Sequence, residues 1–512
     1  MSLGFDSLSI ELRYEVFEHV SSLRDLRALI QASPFFYRAF VPAKTTILSR
    51  LLSRNIHPDA IPDALAAVRA SSIVKLVQIE ADSQANERAI RKPVLDFLGD
   101  YMAQRKTHQP NGPPFQSILI PLCRLYSSVE FFIPKFTCEA LRAVRELSNL
   151  VNGPHQSERS DDVEAADSKS LSDIEEGRLQ RAFFRFEIYR KLFHMAEIPP
   201  LLDPWFSKTV QAGLFLPLFA PWEIEELACV CQYIVRTLEN VFDKLEDDFV
   251  DAVTELATSK PPNSQKRPRS FHFTGAHARE QAGGMKMWLA KLDDAEPQPS
   301  LGERASVNSM DMLDFGLIFF ETFTKQLDHE FRIADVMSRG LPFLKCYLQL
   351  AEHDRKDLTL SISRPRSTPF LHTFLEGYSF GPQQGSTEFQ GDSLRVFNQG
   401  WIWAHEHECV IDNRVIARLH RFDGEDLYKL RSWGYSIWDA DRLRAVGILE
   451  TRRSKYNELV NDSTVQVDRR DMLSAQERLF GVCVPREVLE NLSAKKDWKS
   501  EDEYELVGEA LY

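Results

Sequence analysis

The clearest pattern in the chain is a stripe of apolar residues between residues 221 and 257, where they recur at steps of three and four. This is the spacing of one face of an α-helix. The stripe consists of Leu227, Cys231, Ile234, Leu238, Val241, Leu245, Phe249 and Leu256. Charged residues such as Glu225 and Arg236 occupy the opposite face, and Pro221 suits a first helical position. The pattern predicts a long helix that packs in a bundle, with docking of a partner helix as the alternative.

Looser helical patterns extend over much of the rest of the chain. They predict a helical region at 46–151, a helical bundle region at 177–257 that contains the stripe, and a helical region at 309–363 that continues the body. Together these regions predict a large helical body and a mainly α fold.

Two polar regions interrupt this body. Residues 152–176 hold many acids and serines and no aromatic residue, so they cannot bury enough apolar surface to offset the entropy of ordering. We therefore predict an acidic disordered linker there. Ser170 and Ser172 precede acidic residues and are candidate phosphorylation sites, although a plain solvated linker is the simpler interpretation. Residues 258–308, with a basic, proline-rich stretch, predict a flexible linker.

The C-terminal region, residues 364–512, changes character and becomes dense in glycine, proline and aromatic residues. Short strands or irregular packed loops are expected, so the region is predicted to be mixed α/β or irregular. Gly434 is placed to end one short helix and Asp439 to cap the next. The tryptophans concentrated here are Trp401, Trp403, Trp433 and Trp438. They suit either a recognition pocket or, more commonly, a packed core.

Residues 5–45 predict a compact unit of three helices. Ser9, Ser22 and Ser33 are each placed to cap the N-terminus of one helix, and Pro34 suits the first position of the third. The apolar faces are expected to come from Leu12, Val16 and Val20 in the first helix, with Phe17 beside them, from Leu26, Leu29 and Ile30 in the second, and from Phe36, Tyr37 and Phe40 in the third. A unit this small is marginal alone and leans on a partner or on the rest of the chain.

This ordered set of residues resembles the F-box, and more closely the F-box-like openings of fungal proteins. The family's Leu-Pro pair corresponds to Leu8-Ser9, and its Glu-Leu pair to Glu11-Leu12. The later matches are Val16-Phe17, Val20, Asp25-Leu26, Leu29 and Ala32-Ser33. The family's proline is replaced by Ser9, and its late tryptophan is absent, with Phe36 or Tyr37 as the nearest aromatic. The resemblance covers less than a tenth of the chain.

The resemblance implies binding to the Skp adaptor of cullin–RING ubiquitin ligases. The adaptor-binding residues that it implies are Leu8, Glu11, Leu12, Val16, Phe17, Val20, Leu26 and Leu29. The fold that follows is an N-terminal trihelical F-box-like segment, a large helical body and a mixed, aromatic-rich C-terminal region. The alternative is that these side chains only pack the segment against the remaining domain.

Charge and cysteine content restrict the setting. The net charge of −13 repels nucleic acid phosphates, so no nucleic acid partner is expected. The seven cysteines are odd in number and never spaced as CxxC, which favours a reducing compartment, cytoplasmic or nuclear. The N-terminus lacks the features of a signal peptide, and no run of about 18 apolar residues occurs, so no membrane association is expected.

The sharpest candidate for metal chemistry is the group His405, His407 and Cys409. On a strand these side chains share one face, and imidazole and thiolate are suitable zinc ligands. A fourth ligand at recognisable spacing is missing, so an exposed polar strand face is the competing interpretation. No phosphate-binding loop, dinucleotide fingerprint, HExxH or Gly-x-Ser-x-Gly motif occurs. We therefore expect no catalytic residues, no cofactor and a non-catalytic subunit.

Three functional hypotheses follow. The first is a substrate adaptor that binds the Skp adaptor through its F-box-like segment and recruits an unknown protein target through its helical body. The second is a ligase-independent interaction scaffold. The third is a metal-dependent enzyme that uses His405, His407 and Cys409.

Overall fold

A computed structural model of the chain describes residues 8–82, 87–107, 115–152, 171–193, 206–259, 333–352, 398–404 and 424–451, together with positions 354–355, 358, 371, 375, 410–411 and 414–415. The chain divides into two compact units. The first comprises Met1–Ile234, Met337–Lys345 and Pro369–Gln466, and the second comprises Val235–Val336, Cys346–Thr368 and Val467–Tyr512. The side-chain contacts that build the candidate site lie within the first unit.

The described residues are almost entirely helical, so the predicted mainly α fold is confirmed. The helices are α1 (Ile10–His19), α2 (Leu23–Ala32), α3 (Pro34–Asn55), α4 (Ile61–Asp82), α5 (Glu87–Thr107), α6 (Phe115–Asn152), α7 (Asp173–Phe193), α8 (Lys208–Phe215), α9 (Pro221–Ser259), α10 (Leu341–Gln349), α11 (Gln399–Ala404), α12 (Gly424–Ser432) and α13 (Ala440–Ala445). Single 3-10 turns occur at Pro58–Ala60 and Leu216–Leu218. One short antiparallel pair, β1 (Val410–Ile411) and β2 (Arg414–Val415), places Val410 opposite Val415.

The long helix predicted from the apolar stripe is α9, and it begins at Pro221 as expected. Leu227, Cys231 and Leu238 are buried on its apolar face. The first turns of α9 are covered on the charged side as well. Glu225, predicted to lie opposite the apolar stripe, pairs with Arg431 of α12. The pattern identified the helix but could not show that a later segment covers its polar side.

The N-terminal segment contains the three predicted helices with their three predicted serine caps. The third helix is longer than expected. It continues to Asn55, with Pro42 inside it, so it extends ten residues past the predicted end at residue 45. The apolar residues Leu48, Leu51 and Leu52 of this extension are buried, which explains why the helix does not stop.

The central helix of the body is α7, which packs on α4 and α6. It is buried around most of its circumference, although its sequence is rich in charged residues. Phe183, Phe184 and Phe186 are fully buried, and so are Arg185 and Glu187. A helix enclosed in this way is usually apolar all round, so its buried charges need partners within the protein.

The C-terminal part of the first unit includes the short helices α11, α12 and α13. Gly434 has φ +69°, which ends the turn after α12, and Asp439 caps α13 by accepting the Arg442 amide at 2.8 Å. Both predicted caps are confirmed. The helix α11 approaches this turn so closely that a side chain at Gly400 would collide with the Tyr435 carbonyl. Most of the predicted mixed region, 364–512, lies outside the described residues.

The predicted linkers are only partly covered by the structure. Within 152–176, residues 153–170 lie outside the described residues, whereas α7 already begins at Asp173. The predicted end of this linker at residue 176 was therefore wrong by several residues, because Ser172 caps α7 and Glu175 is buried. Of the linker 258–308, all but its first two residues lie outside the described part. The remaining predicted boundaries stay predictions.

Candidate functional site

Serine caps set the starts of the three N-terminal helices. Ser9 Oγ accepts the Leu12 amide at 3.5 Å, and Ser33 Oγ accepts the Phe35 amide at 3.3 Å. Ser22 Oγ accepts the Asp25 amide at 2.9 Å and donates to the Asp25 carboxylate at 2.7 Å. Each cap satisfies an amide that has no partner within its own helix. The sequence therefore specifies where each helix of the segment begins.

A small aromatic core holds the three helices together. Phe17 of α1 is 3% exposed, and its ring centroid lies 5.6 Å from that of Phe36 and 6.1 Å from that of Phe40. Leu26 of α2 is equally buried. The edge-on geometry of the Phe17–Phe36 pair is a favourable arrangement for aromatic rings. The segment thus has a core of its own.

The end of α3 fastens the turn between α1 and α2. Arg54 donates to the Glu18 and Val20 carbonyls, the latter at 2.6 Å, and Asn55 Nδ2 donates to the Ser21 carbonyl at 2.8 Å. These carbonyls lie at or just after the last turn of α1, where helical partners are missing. The extension of α3 beyond residue 45 therefore contributes directly to the geometry of the segment.

The eight predicted adaptor-binding residues fall into three groups. Glu11 and Leu12 are exposed, Leu12 by 52%. The half-buried group is Leu8, Val16, Val20 and Leu29. Phe17 and Leu26 are buried inside the segment, so they support its surface and do not contribute contact area in this conformation. The predicted face of α1 is also corrected, because Phe17 turns inward and Leu12 does not.

Several large apolar side chains of this segment face solvent. We call them the N-terminal apolar residues: Ile10, Leu12, Phe35, Tyr37 and Val41. Tyr37 and Val41 are 55% and 53% exposed and lie four residues apart on one face of α3. The sequence pattern places Tyr37 on a helix face together with Phe36 and Phe40, but in the structure Phe36 is buried.

Basic side chains accompany these apolar residues. The Arg13 guanidinium lies 5.1 Å from the centre of the Phe35 ring, and that of Arg38 lies 6.0 Å from it. Both distances fit cation–π contact. Guanidinium groups of two helices thus lie against one of the N-terminal apolar residues, and the exposed Glu11 precedes Arg13 by two positions.

A second group of chemically notable residues is buried within the helical body. Arg185 of α7 donates from Nε to Asp63 of α4 at 2.9 Å and from Nη2 to Glu223 of α9 at 2.6 Å. Arg105 of α5 donates to the same Glu223 oxygen at 2.8 Å, and the Tyr101 hydroxyl donates to Asp63. We call these five residues the buried charge network. They connect four helices.

In this network, nearby groups of opposite charge allow a buried side chain to stay ionised. Burial alone would raise the pKa of Glu223, but the neighbouring guanidinium groups of Arg105 and Arg185 hold that pKa well below its usual range. Burial, and after it Asp63, raise the pKa of Tyr101, so its hydroxyl remains a donor. The Arg185 guanidinium also lies 4.5 Å from the centre of the Phe219 ring. Ions enclosed this way are costly to separate.

Glu226 occupies a different electrostatic position one turn along α9. Arg178 lies 3.6 Å from it, and Arg181 donates to it at 3.2 Å. Burial raises the pKa of this carboxyl in spite of both arginines. Two glutamates three residues apart thus have pKa values displaced in opposite directions, because Glu223 accepts shorter hydrogen bonds from its cations.

The C-terminal tryptophans line no exposed pocket in the part of the chain that the structure describes. Trp401, Trp403, Trp433 and Trp438 are all at most 5% exposed. The Trp438 indole donates to the Trp433 carbonyl at 2.7 Å, and that of Trp403 donates to the Thr451 carbonyl at 2.7 Å. Their area therefore packs a core, and the indole N–H groups of these two are satisfied within it.

The predicted metal ligands, His405, His407 and Cys409, lie outside the described residues. Among the residues that the structure does describe, no group of three or more histidine, cysteine, aspartate or glutamate side chains is arranged to hold a metal ion. No described helix is long and apolar enough to cross a membrane.

Comparison with known proteins identifies no relative. No protein-family model, no curated protein and no solved structure matches this chain.

Proposed function

We propose that this protein is an F-box-like substrate adaptor, which binds the Skp adaptor of a cullin–RING ubiquitin ligase through its N-terminal helices. The observation that carries the proposal is the division of apolar residues within the segment. Phe17 and Leu26 fill its own core, yet Leu12 and Tyr37 remain more than half exposed. Exposed apolar side chains grouped in one small unit suit a protein partner.

The chemistry required of such a subunit is positioning. Its helical body would hold an unidentified protein target while the N-terminal segment holds the ligase. Target lysines would then stay at high effective concentration near the charged conjugating enzyme. This role needs neither a catalytic residue nor a cofactor in the chain itself. It also places the protein in the cytoplasm or the nucleus, where such ligases act.

A pull-down with purified Skp adaptor tests the proposal. The full-length wild type should retain the adaptor, and Leu12→Asp should abolish retention, because a charge replaces an apolar contact. Burying such a side chain is worth about 1.5–3 kcal/mol, so its loss weakens binding by roughly 10-fold to 100-fold.

Leu95→Asp is the matched control. Leu95 is 46% exposed on α5, outside the N-terminal segment, so this variant carries the same chemical change at similar exposure. It should bind as the wild type does. Circular dichroism should show equal helix content in all three proteins. A folded wild type that fails to retain the adaptor would leave the ligase-independent scaffold as the better hypothesis.

A further inference from the structure

Four side chains connect the start of α7 with the start of α13, although these two helix starts lie more than 260 positions apart in sequence. Ser172 Oγ accepts the Glu175 amide at 3.3 Å, and the Ser172 amide donates to Glu175 Oε2 at 3.0 Å, which is a capping box. The Asp439 carboxylate, which caps α13 by accepting the Arg442 amide, also lies near the Ser172 hydroxyl. We call Ser172, Glu175, Asp439 and Arg442 the serine clasp.

Charge holds the two halves of the clasp together. Arg442 donates to both oxygens of Glu175, from Nε at 2.8 Å and from Nη2 at 2.9 Å. The Asp439 amide donates to Glu175 as well, at 3.1 Å. Glu175 is fully buried and Arg442 is 7% exposed, so water does not replace these bonds easily. Arg178 reinforces the junction by donating to the Ile437 and Trp438 carbonyls.

The sequence around Ser172 is that of an acceptor for an acidophilic protein kinase. Acidic residues follow the serine at the first, third and fourth positions, as Asp173, Glu175 and Glu176. A kinase with a basic substrate groove recognises such a register through charge complementarity. The clasp is closed when the bonds between Glu175 and Arg442 are formed. In that state Glu175 is buried against Arg442, and Ser172 is half-buried. The kinase can therefore read the sequence only when the clasp opens.

We propose that Ser172 is a phosphorylation site, and that its phosphorylation holds the clasp open. The Ser172 hydroxyl oxygen attacks the γ-phosphorus of ATP, the bond to the ADP oxygen breaks, and the hydroxyl proton passes to the kinase. The product carries a charge of about −1.5 to −2 in place of a neutral hydroxyl. This proposal does not depend on adaptor binding.

The added charge cannot be accommodated in the closed arrangement. The phosphate would lie beside the carboxylate of Glu175, with that of Asp439 nearby. If the phosphate instead took Arg442, Glu175 would remain buried without its cation, which is also strongly unfavourable. In either case residues 437–446 lose the attachment to α7 that runs through Glu175, and the bonds from Arg178 alone hold the junction. Phosphorylation thus shifts the population towards the open state.

The test treats the full-length protein with an acidophilic serine/threonine kinase and ATP. Mass spectrometry then measures how much of Ser172 is phosphorylated. Hydrogen exchange of residues 437–446 is then compared before and after phosphorylation. We expect phosphorylation of Ser172 and faster exchange there. Arg442→Gln, which removes the cation and keeps much of the side-chain volume, should be phosphorylated roughly tenfold faster than the wild type, because more of it is open.

Two controls make the outcome decisive. Ser172→Ala should show no change in exchange after kinase treatment, whereas Ser170→Ala, which removes the neighbouring acceptor, should behave as the wild type does. The proposal is overturned if Ser172 stays unmodified in the folded wild type, or if it is modified while exchange of residues 437–446 is unchanged. Circular dichroism of Arg442→Gln checks that its faster reaction does not reflect global unfolding.

Discussion

The N-terminal segment and the helix α7 use polar and apolar residues in opposite ways. In the segment, apolar side chains such as Leu12 and Tyr37 face solvent. In α7, the charged side chains of Arg185 and Glu187 are fully enclosed. Apolar groups in water and charges out of water are both unfavourable in isolation. Each therefore needs a partner: for α7 it lies within the protein, and for the segment we propose that it is a second protein.

The largest expected effect tests the enclosed charges. Arg185→Ala should lower the free energy of unfolding by about 3–5 kcal/mol, because Asp63 and Glu223 lose a buried cation. Urea denaturation of the purified protein measures this. The matched control is Arg50→Ala, whose partner Glu18 is exposed, and it should cost at most about 1 kcal/mol. Equal losses for the two variants would show that burial adds nothing to the network.

The next effect separates core from surface inside the N-terminal segment. Phe17→Ala should destabilise the segment by about 3 kcal/mol, because it leaves a cavity beside Phe36 and Phe40. Leu12→Ala should change stability by no more than about 0.5 kcal/mol, since half of Leu12 is already exposed. Local hydrogen exchange of residues 10–32 measures both. Similar destabilisation by the two substitutions would contradict the assignment of Leu12 to a free surface.

The smallest effect concerns pH and the two buried glutamates of α9. The folded-state pKa of Glu223 is lowered, so its contribution to stability is present above its ordinary value of 4.5 and is lost as the pH falls below it. The pKa of Glu226 is raised, so its contribution is present below 4.5 and is lost as the pH rises through the raised value. The two carboxyl groups therefore stabilise the folded protein on opposite sides of their ordinary pKa.

Substitution by glutamine should reveal these opposite signs. Glu223→Gln should make the loss of stability between pH 5 and 3 less steep, measured by urea denaturation across about two pH units. Glu226→Gln should make the loss on the acid side steeper relative to neutral pH, because it removes a group that stabilises the protein at low pH. A change of the same sign in both variants would contradict the opposed environments of Glu223 and Glu226.

Local signals made part of this structure predictable. Serine caps at Ser9, Ser22 and Ser33, the glycine turn at Gly434 and the Asp439 cap depend on residues within four positions of each other, and each was recovered from sequence. The same holds for α9, whose apolar stripe repeats over many turns. Such features need no knowledge of which distant segments meet.

The interior around α7 could not be predicted in the same way. Charged residues such as Arg185 read as solvent-facing in a helical pattern, and their burial depends on Asp63 and Glu223, which are distant in sequence. The partner of Glu225 could not be predicted for the same reason, since Arg431 lies on α12. In the N-terminal segment, the pattern placed Leu12 on the apolar face of α1 and Phe17 beside it, whereas the structure buries Phe17 and exposes Leu12. The pattern within α1 does not show how that helix is rotated against α3.

The most direct test of the central claim is hydrogen exchange of the full-length protein with and without purified Skp adaptor. If the N-terminal apolar residues form the binding surface, the adaptor should slow exchange in residues 10–19 and 34–45, where Leu12, Tyr37 and Val41 are exposed. Exchange in the helices of the buried charge network should not change. Unchanged exchange in both N-terminal ranges at saturating adaptor would contradict the account.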